Sequence, residues 1–274
     1  MGRVGRPAVL GAVLVIGLGL DCTSARRTDD ARDDDRSPVV AAPPPAAPAV
    51  EAQSSLDPSA PPPIAPPGTR YASMDREACA AELATRGIPH EALAPRLGIT
   101  SPVRLRGRLG GITFRTLWPD PERLRTSFEI MDCRLVLALD EFAQVLARHG
   151  VVDVMFFSAY RPPPAGWTDH GSATGRHEAG LAIDIGYFRK GDGSALNVER
   201  DFLPRRDRGE KERICAVGPP ARDATPDALE LRKIVCEARD AQLFHLALTP
   251  AYDDVHRDHF HFELTPDKAD FVAR

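Results

Sequence analysis

The chain runs RHEAGLAID from Arg176 to Asp184, and this stretch indicates the entrance to a buried strand. Asp184 interrupts an otherwise apolar run, residues 181–185. An ionised carboxylate in a buried strand is costly unless it is paired or binds a metal ion. His177 lies seven positions before Asp184, and Gly180 between them allows a turn that brings the histidine back to the same metal. We therefore expect a metal site at the entrance of this strand.

A second candidate segment lies near the C-terminus, where the chain runs DVHRDHFHF from Asp254 to Phe262. It holds three of the eight histidines, His256, His259 and His261. Because side chains alternate along a strand, His259 and His261 point to the same face. Two histidines and one aspartate suit a catalytic zinc, which takes three protein ligands and leaves one position for water.

Two further side-chain types complete the predicted chemistry. A base must accept the proton of the activated water, and Asp258 and His259 are both candidates. Arg161 ends the segment Ser158-Ala159-Tyr160-Arg161 and can stabilise a developing oxyanion. The chain has no G-x-S-x-G element and no arrangement of a Ser or Cys nucleophile, which favours metal-dependent hydrolysis.

Each of these pieces also has a structural interpretation. His177 and Asp184 alone fit a hydrogen-bonded pair that orders a turn. His259 and His261 alone fit surface strand residues or an adventitious metal site, and Arg161 alone fits a surface ion pair. Only their combination in one chain favours an active site.

The first 25 residues have the pattern of a secretory signal. Arg3 and Arg6 precede an apolar run, residues 8–20, that is short for a membrane span but suits the core of a signal peptide. Small residues that follow suit ordinary cleavage, and Cys22 offers a second possibility, a lipoprotein signal with lipid on its thiol. Residues 26–70 are acidic and then rich in Pro and Ala, which predicts a disordered linker. We expect an exported protein of the periplasm or cell envelope, attached to the membrane if Cys22 carries lipid.

Export also decides how the remaining cysteines are interpreted. An even number of cysteines in an oxidising compartment indicates disulfides, and four cysteines allow three connectivities. Cys215 and Cys236 lie close in sequence, which favours that pair and leaves Cys79 with Cys133. None of them shows the C-x-x-C spacing of a structural zinc site.

Residues 71–274 form the predicted folded domain, of class α+β. Apolar residues at helical spacing predict a helix from Ile130 to a Gly150 cap, and Thr225 followed by Pro226 predicts the start of another helix. A first helix is expected at 75–86, the last at 226–240, and strands at 102–109, 112–114, 151–158, 181–185, 243–248 and 260–264. The net charge of -4 gives no concentrated basic face, so we expect no nucleic-acid partner, and we expect a monomer.

The motifs together resemble a known family. S-x-Y-R at 158–161, H-x6-D at 177–184 and the late H-x-H at 259–261 are similar to the motifs of zinc D-Ala-D-Ala peptidases of the VanY type. That group is similar in structure to lysostaphin-type enzymes and to the hedgehog signalling domain. Within it, the chain resembles the extensin-like C-terminal domain of exported bacterial proteins, through residues 131–135 and the ending 252–264. The resemblance covers roughly Cys79 to Leu264.

The resemblance implies a fold of the hedgehog and DD-peptidase type, a central and mostly antiparallel sheet flanked by helices. The substrates that it implies are stem peptides of peptidoglycan, cut by a carboxypeptidase or an endopeptidase. It assigns roles to seven residues: Zn²⁺ ligands His177, Asp184 and His261, and substrate contacts Arg161, Ser158, Tyr160 and His256.

Two positions depart from the family's pattern. Asp258 stands where a catalytic Glu is typical, so the base is Asp258, His259 or both. Tyr160 stands where extensin-like domains often have a Cys. The alternative function is a non-catalytic domain that binds the cell envelope and retains the metal site.

Overall fold

A computed structural model describes residues 64–164, 166, 175–202, 214–215 and 224–274. The predicted signal segment, the candidate lipid site Cys22 and the predicted linker up to residue 63 lie outside these residues. In the described part of the chain the fold is mixed α+β, which confirms the predicted class. No helix there is both long and apolar enough to cross a membrane.

The described residues contain six α-helices and ten strands. The helices are α1 (Pro67–Ala72), α2 (Arg76–Thr85), α3 (Glu122–Arg125), α4 (Cys133–Arg148), α5 (Val198–Asp201) and α6 (Pro226–Asp240). The strands are β1 (His90–Ala92), β2 (Pro102–Leu105), β3 (Thr113–Thr116), β4 (Ile130–Asp132), β5 (Val151–Ser158), β6 (Ala182–Lys190), β7 (Ala195–Asn197), β8 (Leu246–Leu248), β9 (Phe260–Glu263) and β10 (Val272–Ala273). Two 3₁₀ turns, Ser127–Glu129 and Asp254–His256, precede β4 and β9.

The main sheet has seven strands, in the order β10-β8-β9-β6-β5-β3, with β7 paired to the far half of β6. Its central pairs, β8 with β9, β9 with β6 and β6 with β5, are antiparallel, whereas β3 and β10 add in parallel at the two edges. A separate antiparallel sheet has the order β1-β2-β4. The sheet is therefore mixed, with an antiparallel centre.

Helix α4 packs on the main sheet and forms the centre of the core. Asp132 caps its start by accepting a hydrogen bond from the backbone N–H of Arg134, 3.0 Å long. Phe142 is fully buried and contacts Phe244 and Phe262, with ring centroids 5.6 and 5.1 Å apart. Truncation of a buried Phe of this kind to Ala costs about 3–5 kcal/mol. Helix α4 therefore packs against the face of the sheet that carries Phe262, and this contact holds β9 in place.

Glycines end two helices as their positions predict. Gly87 follows α2 with φ of 63°, and Gly150 follows α4 with φ of 69°. A left-handed residue after the last turn ends a helix, and Gly adopts it without a Cβ penalty. Helix α6 runs from Pro226 to Asp240 with Thr225 as its N-cap, as predicted.

Several boundaries differ from prediction. Ile130 belongs to strand β4, because Asp132 caps the helix two residues later and extended backbone must precede a cap. Helix α1 begins at Pro67, ahead of the predicted start of the domain at residue 71, because Tyr71 is fully buried and draws the preceding turn onto the core. Strand β2 ends at Leu105 and not at 109, since the chain turns at Gly107.

A buried carboxylate joins the edge of the main sheet to its centre. Asp153 on β5 is 1% exposed and accepts hydrogen bonds from Arg115 on β3 and Arg189 on β6, each with a shortest contact of 2.9 Å. Burial raises the pKa of Asp153, but the two arginines outweigh it and hold that pKa below its usual range.

The disulfides have the predicted pairing. Cys79 in α2 bonds Cys133 at the start of α4, with Cα atoms 6.1 Å apart. Cys215 bonds Cys236 in α6, with Cα atoms 5.4 Å apart. Two intact disulfides fit an oxidising compartment outside the cytoplasm.

Candidate metal centre

The register of three neighbouring strands builds the centre of the site. In the β5–β6 pair Ser158 lies opposite Asp184, and in the β6–β9 pair Asp184 lies opposite His261. Side chains of directly opposed residues lie on the same face of a sheet, with Cβ atoms about 5 Å apart. Hydrogen-bond pairing alone therefore aligns a hydroxyl, a carboxylate and an imidazole in one row.

A turn brings His177 to the same row. The backbone N–H of Leu181 donates to the carbonyl of Arg176 at 2.9 Å, which closes the turn. Gly180 has φ of 64°, and a Cβ there would lie 2.8 Å from the backbone nitrogen of Asp132, so only glycine fits. The backbone N–H of Arg161 donates to the carbonyl of His177 at 3.2 Å, which attaches the turn to the end of β5.

The donor atoms of the three predicted ligands converge. His177 Nε2 lies 3.1 Å from Asp184 Oδ1 and 3.3 Å from His261 Nδ1, and His261 Nδ1 lies 3.0 Å from the same oxygen. Ligands at 2.0–2.1 Å from a tetrahedral metal are separated by roughly 3.4 Å. The three side chains are buried or nearly so, and they can hold a metal ion.

Neighbouring groups fix which ring nitrogen each histidine offers. His177 Nδ1–H donates to the carbonyl of Ala159 at 2.7 Å, so Nε2 carries the lone pair that faces Asp184. His261 Nε2–H donates to Glu263 Oε2 at 3.0 Å, so Nδ1 faces the cluster. Metal-binding histidines typically donate their second N–H to a carboxylate or a backbone carbonyl in this way. The arrangement therefore fits a metal site better than a simple hydrogen-bonded pair.

Asp184 is the electrostatic centre of the cluster. It is fully buried, and burial raises its pKa, but its contacts with the His177 and His261 imidazoles outweigh that effect and hold the pKa far below its usual range. Its Oδ2 accepts hydrogen bonds from Ser158 Oγ, at 3.3 Å, and from Arg161 Nη2. The carboxylate is therefore ionised at neutral pH, the form that binds a metal.

Glu263 contacts the cluster through His261, and the sequence prediction missed it. Burial lowers the pKa of His261, but hydrogen bonds to Asp184 and Glu263 raise it to about 9. Thr265 Oγ1 donates to Glu263 Oε1 at 2.8 Å and holds the carboxylate in place. The signal was present in the sequence, because residues two apart on a strand share a face, as His261 and Glu263 do.

Arg161 and Ser158 line the same row, beside Asp184. Arg161 Nε donates to Ser158 Oγ at 2.9 Å, and its Nη2 donates to Asp184. The guanidinium side chain is 50% exposed, so part of it faces solvent beside the donor atoms. That exposed edge is available to an anionic or carbonyl oxygen.

His259 and Asp258 form a pair beside the cluster. His259 Nδ1–H donates to Asp258 Oδ1 at 2.7 Å, and His259 Nε2 lies 3.4 Å from Asp184 Oδ1. The imidazole therefore faces the donor atoms, and the carboxylate of Asp258 lies behind it. His256 repeats the pattern, because its Nδ1–H donates to Asp253 Oδ1 at 2.6 Å, and its ring centroid lies 5.2 Å from that of His259. Asp253 was also missed by the sequence prediction.

Tyr160 does not join the cluster, and its predicted contact with substrate stays a prediction. The side chain is buried, its hydroxyl donates to the carbonyl of Leu97 at 3.1 Å, and its ring packs with Ile99 and Ile130. Tyr160 lies two residues beyond the end of β5, and its side chain packs with these residues and not with the ligand cluster.

Comparisons with protein-family models, curated proteins and solved structures found no match to this chain. The resemblance to VanY-type peptidases therefore rests on the sequence motifs alone. The sheet register, the two oriented histidines and the ionised Asp184 are the features of this chain that bear on its function.

Proposed function

We propose that this protein is an exported zinc-dependent peptidase that acts on peptidoglycan peptides. One observation carries the proposal: His177 Nε2, Asp184 and His261 Nδ1 converge in a buried cluster, with each imidazole oriented by its own hydrogen-bond acceptor. Beside the cluster lies an imidazole, His259, that is not needed as a ligand and faces the same atoms.

The donor set favours zinc among the common metals. Two imidazoles and one carboxylate are a recurrent set of catalytic zinc ligands, whereas calcium and magnesium prefer oxygen ligands alone. A zinc ion held by these residues supplies Lewis-acid polarisation of a peptide carbonyl and lowers the pKa of a water molecule toward neutrality.

We assign the role of base to His259 and a positioning role to Asp258. Asp258 accepts the Nδ1 proton of His259, which leaves the Nε2 lone pair directed at the site and able to take a proton from the attacking water. Asp258 then stabilises the imidazolium that forms. This assignment explains why an aspartate suffices at position 258, since the side chain need only reach the adjacent histidine.

Arg161 and His256 are suited to contact the peptide. The exposed edge of the Arg161 guanidinium can donate to the oxygen on which charge develops, while Ser158 and Asp184 hold its other edge. In the described part of the chain His256 Nε2 has no hydrogen-bond partner, and its ring lies 5.8 Å from that of His261, so with Nδ1–H donating to Asp253 the Nε2 lone pair can accept a hydrogen bond from a substrate N–H or O–H.

The wall substrate and the finer fold rest on the resemblance. An antiparallel sheet centre that carries the ligands on β6 and β9 is compatible with the hedgehog and DD-peptidase type of fold. Export, supported by the disulfides and by the N-terminal pattern, brings the protein to the compartment where wall peptides are abundant.

One observation favours the second candidate, a non-catalytic domain that binds the envelope. Without a metal the cluster already satisfies itself: a protonated His261 donates to two carboxylates, and Arg161 neutralises Asp184. Such a network is also a stable core element.

The experiment that separates the two functions uses zinc-loaded protein and purified peptidoglycan. Bound zinc is quantified by mass spectrometry of the metal, and released peptides are identified by peptide mass spectrometry. The peptidase proposal expects about one zinc per chain and release of peptides, both lost in His177→Ala and kept in the control His90→Ala. Full zinc occupancy without release would favour the envelope-binding domain, and release by His177→Ala equal to that of the native protein would exclude the proposed site.

A further inference from the structure

A cavity lies beside the end of β5 and is separate from the metal cluster. Its volume is about 210 Å³. Its lining includes Arg96, Arg104, Arg125, Ser127 and Tyr160. The cavity and the metal centre share the segment 158–162, from which Tyr160 faces the cavity and Arg161 contacts Asp184.

The most unusual member of the lining is Arg104 on β2. Its residue is 6% exposed, and its guanidinium makes one hydrogen bond, from Nη2 to the carbonyl of Thr126 at 2.9 Å. Its Nε is buried without a partner, and no carboxylate of the described residues pairs with it. An arginine stays protonated inside a protein, and a buried charge without a counter-ion is costly. Among the described residues this guanidinium therefore has no directly paired carboxylate, and the charge of Glu129 acts on it without a hydrogen bond.

Nearby acids are engaged elsewhere. Glu129 accepts hydrogen bonds from the backbone N–H and the hydroxyl of Thr116, at 2.7 and 2.9 Å, and faces Arg123 at 3.6 Å. Glu91 pairs with Arg106. Both acids therefore already have partners of their own.

Two more arginines add positive charge at the mouth of the cavity. Arg96 and Arg125 are exposed, and neither forms an ion pair with another residue in the described ranges. Burial lowers the pKa of Arg104, the charge of Glu129 acts against that effect, and the neighbouring charges of Arg106 and Arg96 add to the lowering. Three guanidiniums and the hydroxyl of Ser127 thus line this cavity, and no acidic side chain is among its described lining residues.

The chemistry of the lining selects a small planar anion. Guanidinium groups bind carboxylates through paired N–H donors, with both geometric and electrostatic preference. The cavity is smaller than the 300–1,000 Å³ typical of a site for a whole small ligand, so it suits one group of a larger molecule. A peptide bound at the adjacent metal centre would be such a larger molecule.

We propose that this cavity, the arginine subsite, binds a free carboxylate of the wall peptide that lies at the metal centre. The proposal rests on the proposed function for the identity of the peptide. It adds a specificity device, because peptides in which that carboxylate is amidated lose the interaction with Arg104 and its neighbours.

Binding to the metal-free full-length protein tests the subsite without any need for catalysis. Isothermal titration calorimetry compares three probes: a wall stem pentapeptide with free carboxylates, the same pentapeptide with every carboxylate amidated, and inorganic phosphate. We expect amidation to weaken binding by about tenfold or more, the loss of one hydrogen-bonded charge pair. Arg125→Gln and Arg96→Gln should each weaken binding of the free pentapeptide and leave the amidated one unchanged, while the exposed control Arg76→Gln changes neither.

The outcomes test the arginine subsite and the proposed peptidase activity separately. Equal affinity for the free and amidated peptides, or equal effects of Arg125→Gln and Arg76→Gln, would overturn the arginine subsite even if the protein cleaves peptidoglycan. Binding of phosphate alone, dependent on the arginines, would also overturn it. Carboxylate-dependent peptide binding in a protein that cleaves nothing would support the subsite and reject the peptidase. Because Arg104→Gln can unfold the small sheet, the two exposed variants carry the test.

Discussion

Glu263→Gln is the substitution that tests most directly whether the cluster is built for a metal. Glu263 Oε2 accepts the Nε2 proton of His261 at 3.0 Å, and Thr265 fixes the carboxylate from its other oxygen. Glutamine keeps the size of the side chain but removes its charge. His261 therefore loses the anion that makes its Nδ1 lone pair a strong ligand for a metal ion. No predicted ligand is altered.

The expected loss follows from the role of the hydrogen bond. Removal of a group that orients a metal-binding histidine typically weakens metal binding 10- to 100-fold, which is about 1.4–2.8 kcal/mol. A second effect opposes it at neutral pH. Glu263 helps to raise the pKa of His261 to about 9, so in the native protein a proton competes with zinc at pH 7. Glu263→Gln lowers that pKa and weakens the competition, so the loss of affinity should be smaller at pH 7 than at pH 9.

Competition with a chelator of known affinity measures the zinc Kd of both proteins at the two pH values. The matched control is Glu230→Gln, which removes the same charge from a half-buried glutamate paired with Lys190, away from the cluster. Zinc affinities of native protein and Glu263→Gln that agree within twofold at pH 9 would refute the argument. Equal losses in Glu263→Gln and Glu230→Gln would refute it as well.

Three further predictions concern the base, acid stability and a disulfide. His259→Gln should keep bound zinc and lower kcat about 10²- to 10⁴-fold, and Asp258→Asn should keep zinc with a smaller loss of kcat. Turnover that survives His259→Gln but not Asp258→Asn would instead make Asp258 the base. Asp153 has a folded pKa below its unfolded value, so its ion pairs stabilise the protein above about pH 4 and lose that effect as the pH falls further. In urea unfolding, the difference in stability between native protein and Asp153→Asn should therefore shrink below that pH. A difference that stays constant with pH would contradict this prediction. Replacing Cys79 and Cys133 together with Ala should lower the free energy of unfolding by about 4 kcal/mol, given their separation of 54 residues, and an unchanged melting temperature would be inconsistent with that estimate of loop closure.

The local signals in the sequence were sufficient for much of the fold. Thr225 and Pro226 started α6 at the predicted residue, and Gly150 ended α4. Short strands were harder, because β7 and β10 have three and two residues and owe their structure to pairing with β6 and β8. The pairing of β10 with β8 also joins distant parts of the chain, which leaves little trace in local composition.

The candidate ligands were identified from spacing, but their orientation was not. Strand alternation placed His259 and His261 on one face, yet only the register of β6 with β9 sets Asp184 opposite His261. The carbonyl of Ala159, which orients His177, has no side-chain signature at all. The position of Tyr160 outside the cluster was hidden from the sequence for a related reason, because its burial depends on packing with Ile99, which is remote in sequence.

The ligands sit on backbone of two different kinds, and this has a consequence for the kinetics of metal exchange. Asp184 and His261 face each other in the interior of a paired sheet, which opens only in rare and extensive fluctuations. His177 is carried by the turn 175–180, which a handful of hydrogen bonds attach to its neighbours and which can open locally. A bound ion would therefore depart by first losing His177. The opening rate of that turn sets its residence time, and the sheet register sets how tightly it is held at equilibrium.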